Sequence, residues 1–121
     1  MRIVVVIVLA LLLASCGAGG EMATEDQELA HGRRLFQQHC ASCHAVEPER
    51  IIVGPSLADI AVLAEDRVEG LDANEYLAQA ILNPEAYLVA GFPNLMPTNF
   101  DRRLRPGELD ALLVYLLTLE K

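Results

Sequence analysis

The chain of 121 residues has no block of Lys or Arg long enough to grip a nucleic-acid backbone; its balance is 9 Lys+Arg against 17 Asp+Glu. It has no apolar run of the roughly 20 residues that a membrane-crossing helix needs. Past the first 15 residues it shows no alternating apolar and polar pattern of the kind a half-buried strand requires. No internal repeat is visible, and the length allows one domain at most. Cysteine is scarce, with three in all, too few for a disulfide framework. These absences exclude a nucleic-acid binder, a multi-span membrane protein, a β-rich domain and a disulfide-stapled scaffold.

The first thing present is a leader. Met1-Arg2 is a minimal positive start, and Ile3 to Ala14 is an unbroken apolar run that fits the core of an export signal. Small residues follow, and Leu13-Ala14-Ser15-Cys16 resembles the lipobox of bacterial lipoproteins. That resemblance implies cleavage before Cys16 and acylation of its thiol, hence a lipid anchor to a membrane. The organisation expected is a signal peptide over 1–15, a lipidated N-terminus and flexible tether over 16–26, and one domain over 27–121. Loss of Arg2 leaves 8 basic against 17 acidic side chains. Residues 17–26, "GAGGEMATED", have no apolar period and read as the tether, reaching at most roughly 35 Å when extended.

With Cys16 committed to lipid, Cys40 and Cys43 remain, in the stretch "QHCASCHAVEP". A disulfide between residues so close would close a tiny loop and restrict the unfolded chain little. A thioredoxin-like use of Cys-x-x-Cys would need a βαβ pattern, and none is seen. Zinc would need a second pair of ligands, and His31, His39 and His44 lie at the wrong spacing on the same short stretch. Cys-x-x-Cys followed directly by His44 is instead the signature of covalent haem attachment. The two thiols bond the porphyrin vinyl groups and the histidine falls under the iron.

Around this motif the periodicity is helical. Residues 27–38 form a first helix, with Asp26 as N-cap and Leu29, Gly32, Leu35 and Phe36 on or beside one face. A short helix is expected within 56–67, with Leu57, Ile60, Leu63 and Ala64 inward and Gly70 beyond it. Asp72 and Glu75 make a capping box for a helix that Asn83-Pro84 stops near Leu82; Tyr76, Leu77, Ala80 and Ile81 form its apolar face. Residues 84–104, with three prolines, read as a loop. A loop this long in a small domain is expected to cover something, and a flat apolar cofactor would serve. The last helix runs from Pro106 to Leu119, apolar almost all round. Its cap would fall on Arg105, which cannot accept a hydrogen bond, so this end should fray.

These residues together make the chain resemble a class I monohaem cytochrome c over about residues 26–120. The likeness rests on Cys40-Ala41-Ser42-Cys43-His44, on Gly32 and Phe36 facing Leu112 and Tyr115, on Gly54-Pro55-Ser56-Leu57, and on Met96-Pro97. It implies an all-α fold of about four to five helices wrapped around one covalently bound haem c. The implied roles are thioether attachment at Cys40 and Cys43, iron ligation by His44 and Met96, and a Pro55 carbonyl that accepts a hydrogen bond from the axial histidine. Tyr76, Leu82 and Phe100 are candidates to line the haem. Arg102, Arg103 and Arg105 form the basic cluster, read mainly as a solvated surface run. The stretch "EYLAQAILNPEAYLVAGFPNLMP" also looks like membrane-associated respiratory cytochromes c.

With both axial positions filled by protein, no site is open to a small-molecule substrate, and the chemistry left is transfer of one electron. The expected function is a carrier, not an enzyme. It would sit exported on the outer face of the cytoplasmic membrane, or on the periplasmic side of a cell membrane. It would pass electrons between respiratory donor and acceptor complexes, from quinol oxidation toward a terminal acceptor. Two alternatives stay open: a haem enzyme or gas or redox sensor whose methionine is displaced, and a fixed haem subunit of a larger complex.

Overall fold

The computed structural model describes residues 20–120. Five helices account for its regular structure, and no β-strand forms among the described residues. α1 spans Gly20–His39, α2 Ile60–Leu63 with a 3-10 turn Ala64–Asp66 after it, α3 Ala73–Leu82, α4 Phe100–Arg103 and α5 Glu108–Leu116.

α1 begins at Gly20, well before the expected Gln27, so Asp26 is not its cap. Glu21, Ala23, Glu25, Gln27, Glu28 and Leu29 are good helix formers, and acidic residues near a helix start complement its dipole. Residues 20–26 are therefore helical although their composition reads as a tether. The signal peptide and Cys16 lie outside the described residues. Residues 24–28 of α1 are exposed throughout; burial starts at Leu29 and is complete at Gly32, Leu35 and Phe36.

That buried stripe crosses α5. A side chain at Gly32 would overlap the carbonyl oxygen of Ala111 and come within 2.9 Å of the Tyr115 Cβ. Only glycine lets the two backbones meet here. Phe36 and Tyr115 pack with ring centres 5.4 Å apart, and Phe36 and Leu112 are the largest side chains wholly out of solvent. Full burial of such a side chain contributes about 1.5–3 kcal/mol.

α5 is shorter than its apolar run and does not start as expected. Its cap is Gly107, in the left-handed region at φ 81°. Glu108 reaches back instead: its carboxylate accepts from the Arg105 backbone N–H at 2.7 Å and from Arg105 Nε at 2.8 Å. The cap thus falls on Gly107 rather than on Arg105, and the Glu108 carboxylate ties the chain entering the helix to the first residue of α5. The side chain of Glu108 is buried, with His31 Nε2 3.9 Å away on α1. Beyond α5 the chain returns to α2, where Ala61 N–H donates to the Leu119 carbonyl at 3.2 Å.

α3 forms as its sequence requires. Glu75 N–H donates to Asp72 Oδ1 at 2.8 Å and Asp72 N–H to Glu75 Oε2 at 3.0 Å, closing the capping box. Tyr76, Leu77 and Ile81 are buried, as is Ala73. α2 is only one turn long. Ile60 and Ala64 face inward as expected, but Leu63 is 45% exposed and Ala61 is buried in its stead. A single turn that tightens into a 3-10 helix shifts the inward face by part of a turn. α4 interrupts the expected loop after residue 99 and buries Phe100.

Candidate functional site

The site starts where α1 stops. The N–H groups of Cys40 and Ala41 donate to the Phe36 carbonyl at 2.8 and 3.0 Å, and those of Cys43 and His44 donate to the Cys40 carbonyl at 3.0 and 2.9 Å. This tight turn places Cys40, Cys43 and His44 on one cleft. The following segment folds back over it: Val53 and Gly54 N–H both donate to the Cys43 carbonyl, at 3.1 and 2.9 Å, and His44 pairs with Ile51 in an isolated antiparallel bridge.

The His44 ring is held from two sides. Its Nδ1–H donates to the Pro55 carbonyl at 2.9 Å. Gly54 lies flat against the ring, where a Cβ would overlap the imidazole and stand 2.9 Å from Nδ1. With Nδ1 engaged, the lone pair is on Nε2, which is the arrangement a metal-ligating imidazole needs. Pro55 therefore sits where the sequence put it, and Gly54 has a steric duty of its own.

Met96 borders the same cleft, half-buried and packed against the core, with Pro97 next to it. The walls between are apolar, from Leu77 and Ile81 of α3, Phe100 of α4 and Leu116 of α5. Tyr76 and Tyr87 meet edge to face at 5.8 Å on the same lining. Of the three expected lining residues, Tyr76 and Phe100 border the cleft. Leu82 does not; it is 41% exposed at the end of α3, one residue past the inward-facing Ile81.

The thiols of Cys40 and Cys43 are free. Burial pushes the Cys40 thiol up to about 11, with the Arg103 guanidinium opposing and Cys43 adding to the rise. Burial likewise raises the Tyr76 hydroxyl, opposed by Arg67. Among the described residues, no three of His, Cys, Asp and Glu gather as a metal-binding group.

The residues present fit a haem. Two free thiols stand on one turn, directly before an imidazole with its outer nitrogen already bonded. A thioether borders the same apolar slot. Such a site, on an all-α frame, defines a protein that carries a covalent haem of the c type. The match to known families agrees: the Cytochrome c family model covers residues 29–120, and the chain belongs to the cytochrome c family. No curated protein matches the chain. Membership establishes the class I cytochrome c fold, one covalently bound haem c, and haem-based electron transfer as the general activity.

Arg67 and Tyr87 are among the lining residues that the sequence reading did not single out. Arg67 follows a 3-10 turn, and Tyr87 lies in the loop after α3; both border the cleft. Neither sits in a periodic segment, so no local signal marks them. Of the predicted arginine cluster, only Arg103 reaches the cleft, with its guanidinium 5.1 Å from the centre of the Phe100 ring. Arg105 serves Glu108, and Arg102 stands 4.0 Å from Asp101.

Proposed function

We propose that this protein is a one-electron carrier in which Cys40 and Cys43 bind the haem covalently and His44 and Met96 ligate its iron. On this reading, it moves electrons between respiratory membrane complexes, from quinol oxidation toward a terminal acceptor. The bound haem supplies a reversible one-electron change at its iron. The observation that carries the reading is that the fixed His44 ring and the half-buried Met96 border one apolar cleft.

Each residue has a distinct task in this scheme. The Pro55 carbonyl accepts a hydrogen bond from the His44 Nδ1–H, which orients the imidazole and makes its Nε2 more basic. Gly54 leaves room for the ring to lie there. Met96 offers a soft, neutral sulfur, and a Met/His pair raises the potential of haem iron. Leu77, Ile81, Phe100 and Leu116 exclude water, which disfavours the more highly charged oxidised iron. With His44 and Met96 both given to the iron, the cleft would offer no free ligand position to a small substrate, and the chemistry the haem would supply is exchange of one electron.

The export signal, and Cys16 as the lipid-bearing residue, belong to the same proposal. An anchored carrier would stay on the outer face of the cytoplasmic membrane or the periplasmic side of a cell membrane, within reach of its donor and acceptor complexes. No described helix is long and apolar enough to cross a membrane.

The test is an absorption spectrum of the purified, haem-loaded protein. The oxidised form should show the weak long-wavelength band of iron bound to a thioether, and Met96→Ala should remove that band while the haem remains attached. Rapid CO binding by the reduced wild type would count against the carrier and for a sensor or enzyme. Mass spectrometry of the N-terminus examines the anchor, and an unmodified Cys16 thiol in the exported protein would end that part of the reading.

A further inference from the structure

α1 changes character along its length. From Leu29 to His39 it packs on α5, with Gly32, Leu35 and Phe36 buried. Ahead of Leu29, residues 24–28 make more than a full turn and every one is exposed. Over residues 20–28 the sequence carries Glu21, Glu25, Asp26 and Glu28 and no Lys or Arg. A stable helix that is polar all round crosses solvent rather than packing. A helix that lies on a bilayer has Leu, Phe or Trp on one face and cations on the other, and this stretch has neither. Its carboxylates are also repelled by anionic headgroups.

The exposed stretch stays helical because of its neighbour. Nucleation is the costly step of helix formation, and the packed part of α1 already supplies the nucleus. Extension then needs only good helix formers, and acids near a helix start complement its dipole. The like charges of Glu21 and Glu25, and of Glu25 and Glu28, oppose this only weakly. With 20 residues, α1 is about 30 Å long at the rise of an α-helix. Its far end leads into the Cys40–His44 turn, tied to the Phe36 carbonyl. Its near end, Gly20, is four positions after Cys16 in the sequence. The lipid-bearing residue and the attachment turn thus belong to opposite ends of one helix.

We propose that residues 20–28 form a stand-off arm that holds the haem site away from the bilayer, so that the partners this protein fits are redox domains projecting from the membrane and not centres set at the bilayer surface. The inference rests on the lipid anchor at Cys16 and on the carrier reading above, and adds to them the place where electrons are exchanged.

The experiment uses the lipid-bearing holoprotein on vesicles of phosphatidylcholine and phosphatidylglycerol whose headgroups carry a fluorescent dye. The haem quenches the dye by energy transfer, and the lost emission reads its height. Quenching by the wild type should be low. Glu25→Gly combined with Gln27→Gly should raise it about twofold or more, because a coil of this length lets the domain swing down. Asp26→Ala, which substitutes a better helix former, should leave it low. A ferrocene seated among the headgroups stands in for a redox centre at the bilayer surface, and it should exchange electrons faster with the double-glycine variant than with the wild type. In the reduced, diamagnetic holoprotein, carbon-13 shifts of residues 20–28 should be helical. Coil shifts there would overturn the proposal, as would quenching or ferrocene exchange that is equal in wild type and double-glycine variant. If that variant does not accumulate, the wild-type shifts and quenching decide. An unmodified Cys16 thiol would end the anchor reading and the arm with it. A lipidated Cys16 and an intact iron–thioether band, found together with coil shifts, would sink the arm alone.

Discussion

The crossing of α1 and α5 and the loop that carries Met96 are built in opposite ways. At the crossing, protein covers protein: Gly32 admits the Ala111 carbonyl, Phe36 meets Tyr115, and Leu112 is 1% exposed. In residues 84–98 the backbone donors with backbone partners are Ala86, Phe92 and Leu95. A side-chain tie from Asn94 to Glu85, at 3.2 Å, spans the loop. Leu88 is 50% exposed and Leu95 65%. Exposed as they are, both border the cleft, together with Tyr87, Val89, Phe92 and Met96 of the same loop. One half has an interior of its own. The other is a cover whose apolar side is shaped for a cofactor, so its order depends on what it covers.

Substitutions can break or sharpen this contrast. The largest effect is expected from Phe36→Ala, which should cost about 3–5 kcal/mol by emptying the centre of the crossing; urea unfolding of the holoprotein measures it. Gly32→Ala should follow, at about 1–3 kcal/mol, because the new methyl meets backbone that cannot step aside. A smaller change should come from acid. Glu108 is held below the usual carboxylate range by its hydrogen bonds to the Arg105 side chain and backbone. A lowered carboxylate contributes stability that is present above its unfolded-state pKa and is lost as pH falls through the folded one. Melting temperature should therefore drop on the acid side in the wild type, with a weaker drop in Glu108→Gln. The least effect belongs to the loop surface away from the cleft: Ala90→Ser should change stability by no more than about 0.5 kcal/mol. A large loss there would mean that the loop has an interior after all.

The haem-free chain offers a further contrast within the site. The Cys40 thiol, pushed up to about 11 by burial, should alkylate slowly near neutral pH. Its rate should rise about tenfold per pH unit below that value, since the thiolate is the reactive form. A Cys40 that reacts at neutral pH as fast as a free thiol in the unfolded chain would show that the turn does not hold it buried without haem.

Much of this architecture is legible in the chain because the signals are local. Cys40, Cys43 and His44 share one turn, so their spacing alone marks the attachment site. Asp72 and Glu75 cap a helix start three residues apart. Gly32 and Phe36 announce a close crossing by their separation on α1. The misreadings also have a common cause. α1 extends back to Gly20 because helix formers outweigh a tether-like composition. α5 is capped at Gly107 rather than at Arg105, where a left-handed turn and the Glu108 carboxylate, tied back to the Arg105 N–H, set the helix start. Leu63 and Leu82 point outward because a one-turn helix and a helix end hold their faces loosely.

By itself the sequence determined the family and, through it, the covalent cofactor, since the motifs that carry them are neighbours along the chain. The tertiary structure alone decided that Gly54 packs against the His44 ring, that Arg67 stands half-buried on the cleft while Arg103 on the same cleft is exposed, and that the acids of an acidic chain stay out of its lining. Those outcomes are set by burial and by pairing between residues far apart in sequence, and no short-range pattern encodes either.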